Sequence, residues 1–177
     1  MNFTELFLPG VYQIDVKKFE DDRGFFTRLF CKETLSQKGL ESDFSQCSLS
    51  DNPRKSTLRG MHYQEAPFEE VKLITCLSGS IYDCLIDLRP DSPTYLRHLA
   101  IELSASCSQL LYVPKGLAHG FLTLEPKTQV LYQISTPYHR TAARGIRYND
   151  PHFQIPWPLV PEIVSSRDLS YPLIASQ

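Results

Sequence analysis

Ser80-Ile81-Tyr82-Asp83-Cys84-Leu85-Ile86-Asp87-Leu88 alternates without interruption. A strand turns successive side chains to opposite faces. Tyr82, Cys84, Ile86 and Leu88 therefore share one face, and Ile81, Asp83, Leu85 and Asp87 share the other. Arg89-Pro90-Asp91-Ser92-Pro93 then turns the chain. Working outward, strands are predicted over 11–16, 25–31, 44–50, 96–103, 109–113 and 130–134. Asp21-Asp22-Arg23-Gly24 reads as a turn, and 51–55 as a polar loop. Residues 32–38 form the one helix candidate in the first half, ending at Gly39, and 162–169 read as a short helical turn. About ten short strands between turns predict an all-β fold, an antiparallel sandwich or barrel with a few short helices. With no repeat or linker in the sequence, residues 1–177 are expected to form one domain, irregular from about 139 onward.

Composition narrows the function. A net charge of −2 offers no general attraction to nucleic acid or anionic membrane, so a phosphate must be met by a local cluster. No apolar run approaches membrane-spanning length, and residues 1–10 carry Glu5 and Pro9 where a secretory signal would be apolar. Five cysteines without a CxxC pair fit a reducing cytoplasm.

Chemistry concentrates in Thr57-Leu58-Arg59-Gly60-Met61-His62-Tyr63-Gln64, with Lys72 eight residues further on. These are expected within one hairpin. Histidine titrates nearest neutrality and is the default proton carrier. The flanking cations suit an anionic substrate or a developing oxyanion. Strict alternation separates Arg59 from His62, so a shared site requires a bulge, predicted at Gly60. His119 follows the turn Pro114-Lys115-Gly116, and Tyr132 points inward with Val130 and Ile134. Taken singly, each has an ordinary structural explanation: a strand histidine, a core tyrosine, a solvated turn arginine at Arg23, a helix-end acid at Asp168.

Together these residues resemble the dTDP-4-dehydrorhamnose 3,5-epimerase family. The resemblance rests on Asp22-Arg23-Gly24-Phe25-Phe26, Leu58–Gln64, Lys72-Leu73, Pro114–Phe121, Leu131-Tyr132, Gly145–Pro151 and Ile155–Pro158, in order. It implies a cupin-type jelly roll, a homodimer that exchanges N-terminal strands, and no cofactor or metal. It further implies His62 as the base that removes a proton beside a ketone, with Asp168 orienting it. Tyr132 would return a proton from the opposite sugar face, and Lys72 would stabilise the enolate oxygen. Arg23 and Arg59 would grip the diphosphate or nucleotide and His119 would line the sugar pocket. Phe26, Gln46, Ser48, Tyr138 and Arg167 would complete the substrate-binding positions.

The sequence departs from the family pattern at Arg28, Ser48, Ala143 and Arg167, where an acid, asparagine, glutamate and lysine are usual. The expectation is preserved chemistry at C3, C5 or both of a nucleotide-activated 4-keto-6-deoxyhexose, with altered substrate reading. Rival readings are a metal-dependent cupin using His62 and His119, a sugar-nucleotide 3,4-ketoisomerase, and a non-catalytic sugar-nucleotide binder. Gln64 stands where a cupin HxH pattern would place its second histidine.

Overall fold

The computed structural model describes residues 1–174. Two antiparallel sheets face each other. The first has the order β1 (Asn2–Glu5), β2 (Tyr12–Asp15), β10 (Gln109–Val113), β7 (Lys72–Ser78), β12 (Thr128–Ile134) and β5 (Gln46–Asn52). The second has the order β13 (Ala143–Gly145), β6 (Thr57–Gln64), β11 (Leu117–Thr123), β8 (Ser80–Asp87) and β9 (His98–Ser104). A two-residue strand, β14 (Ile163–Val164), runs parallel to β6. A separate hairpin, β3 (Lys18–Asp21) with β4 (Gly24–Thr27), pairs only with itself among the described residues. Two short helices, α1 (Lys32–Gln37) and α2 (Ser166–Ser170), complete the expected jelly roll.

Three apolar layers explain the alternation in β8. Ile81 and Leu85 meet Ile74, Leu111 and Val130 from the first sheet, forming the core between the sheets. Cys84 and Ile86, on the other face, pack with Met61, Ile146 and Phe153, so the C-terminal segment covers the back of the second sheet. The back of the first sheet is covered by Leu35 of α1 with Phe30 and Phe44. Both faces of β8 are thus buried, which is why its alternation carries apolar residues on each side. The five cysteines are free thiols, and burial pushes the Cys76 thiol up to about 11.

Several local expectations need correction. His62 and Lys72 do not share a hairpin: β6 and β7 lie in opposite sheets, and the Lys72 side chain reaches across the sandwich to the His62 backbone carbonyl. The strand expected over 25–31 stops at Thr27, and Asp51 and Asn52 extend β5 rather than form a loop. The C-terminal helix begins later than expected because Ile163 and Val164 pair with β6.

The bulge at Gly60 is present. On β11, His119 and Phe121 are two residues apart and point the same way, whereas their partners His62 and Arg59 on β6 are three apart. The extra residue brings Arg59 and His62 onto one face. Gly60 has φ +131, and a Cβ there would lie 2.4 Å from the Gly120 Cα and 2.9 Å from the His119 carbonyl oxygen. Left-handed backbone and contact between two glycines both exclude a side chain. Gly60→Ala is expected to cost about 2–5 kcal/mol of stability, measured by denaturant unfolding. A cost below about 0.5 kcal/mol, the scale of an ordinary surface substitution, would show that the close approach is not needed.

Candidate active site

One cavity of about 740 Å³ opens between the sheets, within the usual range for small-molecule sites. Strands β5, β7 and β12 line one side and β6 and β11 the other, while the segment around α2 closes one end. Of the twelve positions expected to form the site, ten line this cavity: His62, Tyr132, Asp168, Lys72, Gln46, Ser48, Arg59, His119, Tyr138 and Arg167. Arg23 and Phe26 are the two that do not.

His62 sits on β6 just past the bulge. Its Nε2 lies 2.7 Å from Oδ1 of Asp168. An ionised carboxylate only accepts hydrogen bonds, so Nε2 carries a proton, and in the neutral imidazole Nδ1 keeps its lone pair. The other oxygen of Asp168 accepts the Gly60 N–H at 3.3 Å. Asp168 is held there by α2: its own N–H donates to Ser165 Oγ at 3.0 Å, the side-chain cap of that helix. Burial works to raise the pKa of Asp168, but the His62 hydrogen bond and charge, with the Gly60 and Ser165 contacts, hold it below the ordinary carboxylate value.

Lys72 enters from the opposite sheet. Its buried Nζ lies 3.0 Å from Glu70 Oε1 and donates to the His62 carbonyl at 3.4 Å. Glu70 Oε2 accepts from Gln64 Nε2 at 3.0 Å, and Gln64 is further tied to the Phe68 carbonyl at 3.0 Å. The ammonium is therefore fixed in a buried network, with little freedom to reorganise.

His119 lies opposite His62 in the β6–β11 register, and its Nε2 is 2.7 Å from Asp83 Oδ2. Tyr132 comes from β12, in the facing sheet, and its ring meets the edge of the His119 ring at 5.9 Å. Burial, with the charge of Asp83 behind it, raises the Tyr132 pKa well above the usual phenol value, while Arg59 opposes the rise. Tyr132 is thus a neutral phenol at physiological pH, able to donate a proton.

Cations and polar groups ring the mouth. Arg59 Nε donates to Asn52 Oδ1 at 2.8 Å. Gln46 Oε1 accepts from the Tyr138 N–H at 3.2 Å, fixing the backbone below an exposed ring. Ser48 is the register partner of Tyr132. Arg167 lies over the Tyr171 ring at 5.9 Å. Arg23 and Phe26, by contrast, project from the β3–β4 hairpin, where Arg23 is exposed and paired with Asp21 at 2.5 Å. Phe26 is 66% exposed. Neither lines the cavity of its own chain.

Sequence reading missed Glu70 and Asp83. Glu70 lies two residues before Lys72 in the segment leading into β7, a nearness visible in the sequence, and Asp83 was visible as an acid on an otherwise apolar strand. Lys72, the partner of Glu70, is close in the chain, whereas His119, the partner of Asp83, lies on another strand and only the fold joins them. The two imidazoles proposed as metal ligands in the rival reading each face a carboxylate of their own, and no group of three His, Cys, Asp or Glu suited to a metal occurs among the described residues.

Comparison with known proteins agrees with this architecture. A family model described as dTDP-4-dehydrorhamnose 3,5-epimerase matches residues 5–176. A protein of that name from Sinorhizobium fredii is 35% identical, over 97% of this chain and 89% of its own length. The crystal structure of the Bacillus anthracis enzyme with TDP and PPi bound superposes with a TM-score of 0.94 at 38% identity, covering 98% of this chain and 99% of that one. The Legionella pneumophila enzyme in complex with dTDP-4-keto-L-rhamnose gives a TM-score of 0.92 at 31% identity, covering 97% and 92%. The fold, the cavity and these likenesses along nearly the whole chain lead to one conclusion: the chain belongs to the dTDP-4-dehydrorhamnose 3,5-epimerase family.

Proposed function

We propose that this protein epimerises a nucleotide-activated 4-keto-6-deoxyhexose, dTDP-4-dehydro-6-deoxyglucose or a close relative, at the carbons beside the ketone. The observation that carries this reading is the convergence of a carboxylate-backed imidazole and a partly buried, neutral phenol on one cavity from opposite sheets. Inversion needs two proton carriers on opposite faces of the ring, because a single base tends to restore the starting configuration. His62 Nδ1 takes the proton from the carbon, and the electron pair moves onto the C4 oxygen as an enolate. The Lys72 ammonium stabilises that charge, a contribution worth about 3–4 kcal/mol for a well-placed donor. Tyr132 returns a proton to the other face. His62 then loses its proton to solvent and the phenolate regains one, so the reaction is a net isomerisation.

Arg59 and Arg167 suit the diphosphate, since guanidinium forks match phosphate oxygens. Gln46, Ser48 and Tyr138 suit the nucleoside, and His119 the sugar. Arg23 and Phe26 would act in a homodimer, the β3–β4 hairpin of each protomer reaching the cavity of the other. The hairpin's exposed Phe19, Phe25 and Phe26 support this reading, as an isolated apolar hairpin is poorly stable in water. The free thiols fit the cytoplasm as its compartment.

In deuterated water, turnover of dTDP-4-dehydro-6-deoxyglucose should load deuterium at the epimerised carbons, counted by mass and placed by NMR of the product. His62→Ala and Tyr132→Phe should each slow turnover by about 10²–10⁴-fold with folding intact; a His62→Ala protein as active as wild type rejects the assigned base. A wild-type protein that exchanges no hydrogen with this sugar, or with its CDP or GDP forms, rejects the enzyme reading altogether.

Acid stability tests the Asp168 pair. Because its folded-state pKa is depressed, the stabilisation is complete above the unfolded value of about 3.9 and disappears as pH falls through the folded value. Asp168→Asn should therefore lower Tm at neutral pH and flatten the fall of Tm on the acid side. An unchanged acid limb would mean that the carboxylate is not held by His62.

The dimer predicts complementation. Arg23→Ala and His62→Ala proteins, each impaired alone, should regain activity when mixed and allowed to exchange subunits, since one site of the mixed dimer has both groups intact. A monomer in light scattering, or no regain, rejects the crossing hairpin.

A further inference from the structure

Asp168 does not by itself fix the His62 ring. One hydrogen bond sets the position of Nε2 but leaves the imidazole free to turn about that axis. The structure supplies a second restraint from the same helix. Tyr171 directly follows α2, and its ring meets the His62 ring with centroids 5.9 Å apart at 69°. We propose that Tyr171 is a positioning residue for His62, holding the imidazole plane so that Nδ1 stays directed at the substrate. This inference rests on the reading of His62 as the base.

Three observations set the tyrosine in place. Its ring occupies the space over Gly145, where a Cβ would lie 2.2 Å from Cε2 and 2.4 Å from Cζ. Gly145 is itself the register partner of His62 across β6 and β13. The missing side chain at 145 is thus what lets a ring from the C-terminal segment reach the base. The backbone at 171 is anchored as well, its carbonyl accepting from Arg147 Nε at 3.1 Å. On the outer side the Arg167 guanidinium lies over the ring at 5.9 Å. The Tyr171 hydroxyl is buried and makes no hydrogen bond of normal geometry among the described residues. The residue also lies outside the cavity lining, so its ring, not its hydroxyl, is the working part.

Asp168 and Tyr171 therefore act as a pair three residues apart on one short element. The carboxylate fixes where the imidazole is, and the ring fixes how it is turned. Misplacement of a reacting group by about 1 Å can cost on the order of a hundredfold in rate.

The test is a split between turnover and binding. Tyr171→Ala should lower kcat by about 10–100-fold, while the affinity for dTDP, which needs no proton transfer, stays within about twofold. Tyr171→Phe should retain wild-type kcat, because the ring is kept. Gly145→Ala should reproduce the Tyr171→Ala loss by displacing the ring, and should add nothing further in a Tyr171→Ala background. Nitrogen NMR of the His62 ring gives a readout without substrate: one tautomer with Nε2–H in the wild type, and an averaged or exchange-broadened ring in Tyr171→Ala. Wild-type kcat in Tyr171→Ala, a loss confined to KM, or no rescue by phenylalanine overturns the proposal. If the wild type shows no solvent exchange at all, the base assignment fails first. If it does exchange and the alanine variant matches it, only the role of Tyr171 fails.

Discussion

A single carboxylate ties the C-terminal end of this chain to the middle of its second sheet. Asp168 accepts from the His62 imidazole with one oxygen and from the Gly60 backbone with the other. Gly60 is the residue at which β6 breaks its alternation, so the same group that bonds the imidazole also meets the bulge that aims it. Without that bulge, Arg59 and His62 would point to opposite sides of the sheet. Without α2, the half-exposed imidazole would lose its carboxylate acceptor.

The close approach of β6 and β11 is the geometric condition for all of this. Two glycines, Gly60 and Gly120, meet where any Cβ would collide. The packed interior leaves no slack for such a collision. Most of the cavity is consequently built on strands rather than on loops, which favours fixed distances between the side chains that line it.

Charge is arranged with the same economy. Three ionisable groups that line the cavity each have a fixed companion: Asp168 for His62, Glu70 for Lys72, Asp83 for His119. Buried charges need such partners, and the partners also hold them still. Tyr132 is the exception. Among the described residues no acid or base is hydrogen-bonded to it, and burial raises its pKa and favours the neutral phenol. The cations left nearer the solvent, Arg59 and Arg167, stand at the mouth, where an anionic ligand would meet them.

Much of this could be read in the chain itself. The period of two in β8, the turns between short strands and the glycine that interrupts β6 all reflect local physics, because backbone pleat and φ preference act over neighbouring residues. The alternation that points Tyr132 inward is of the same kind. What neighbouring residues do not determine is which strands face each other. The sequence suggests a hairpin joining His62 to Lys72, yet they come from opposite sheets, since the pairing of a strand depends on how the whole sandwich closes. Asp83 and Tyr171 acquire their partners only through the folding together of distant segments. The exposed hairpin carrying Arg23 and Phe26 also finds no place in the cavity of its own chain. Sequence decided the kinds of residue and their local direction; tertiary structure decided which of them meet, because contacts between distant segments are set by burial of the common core and not by spacing along the chain.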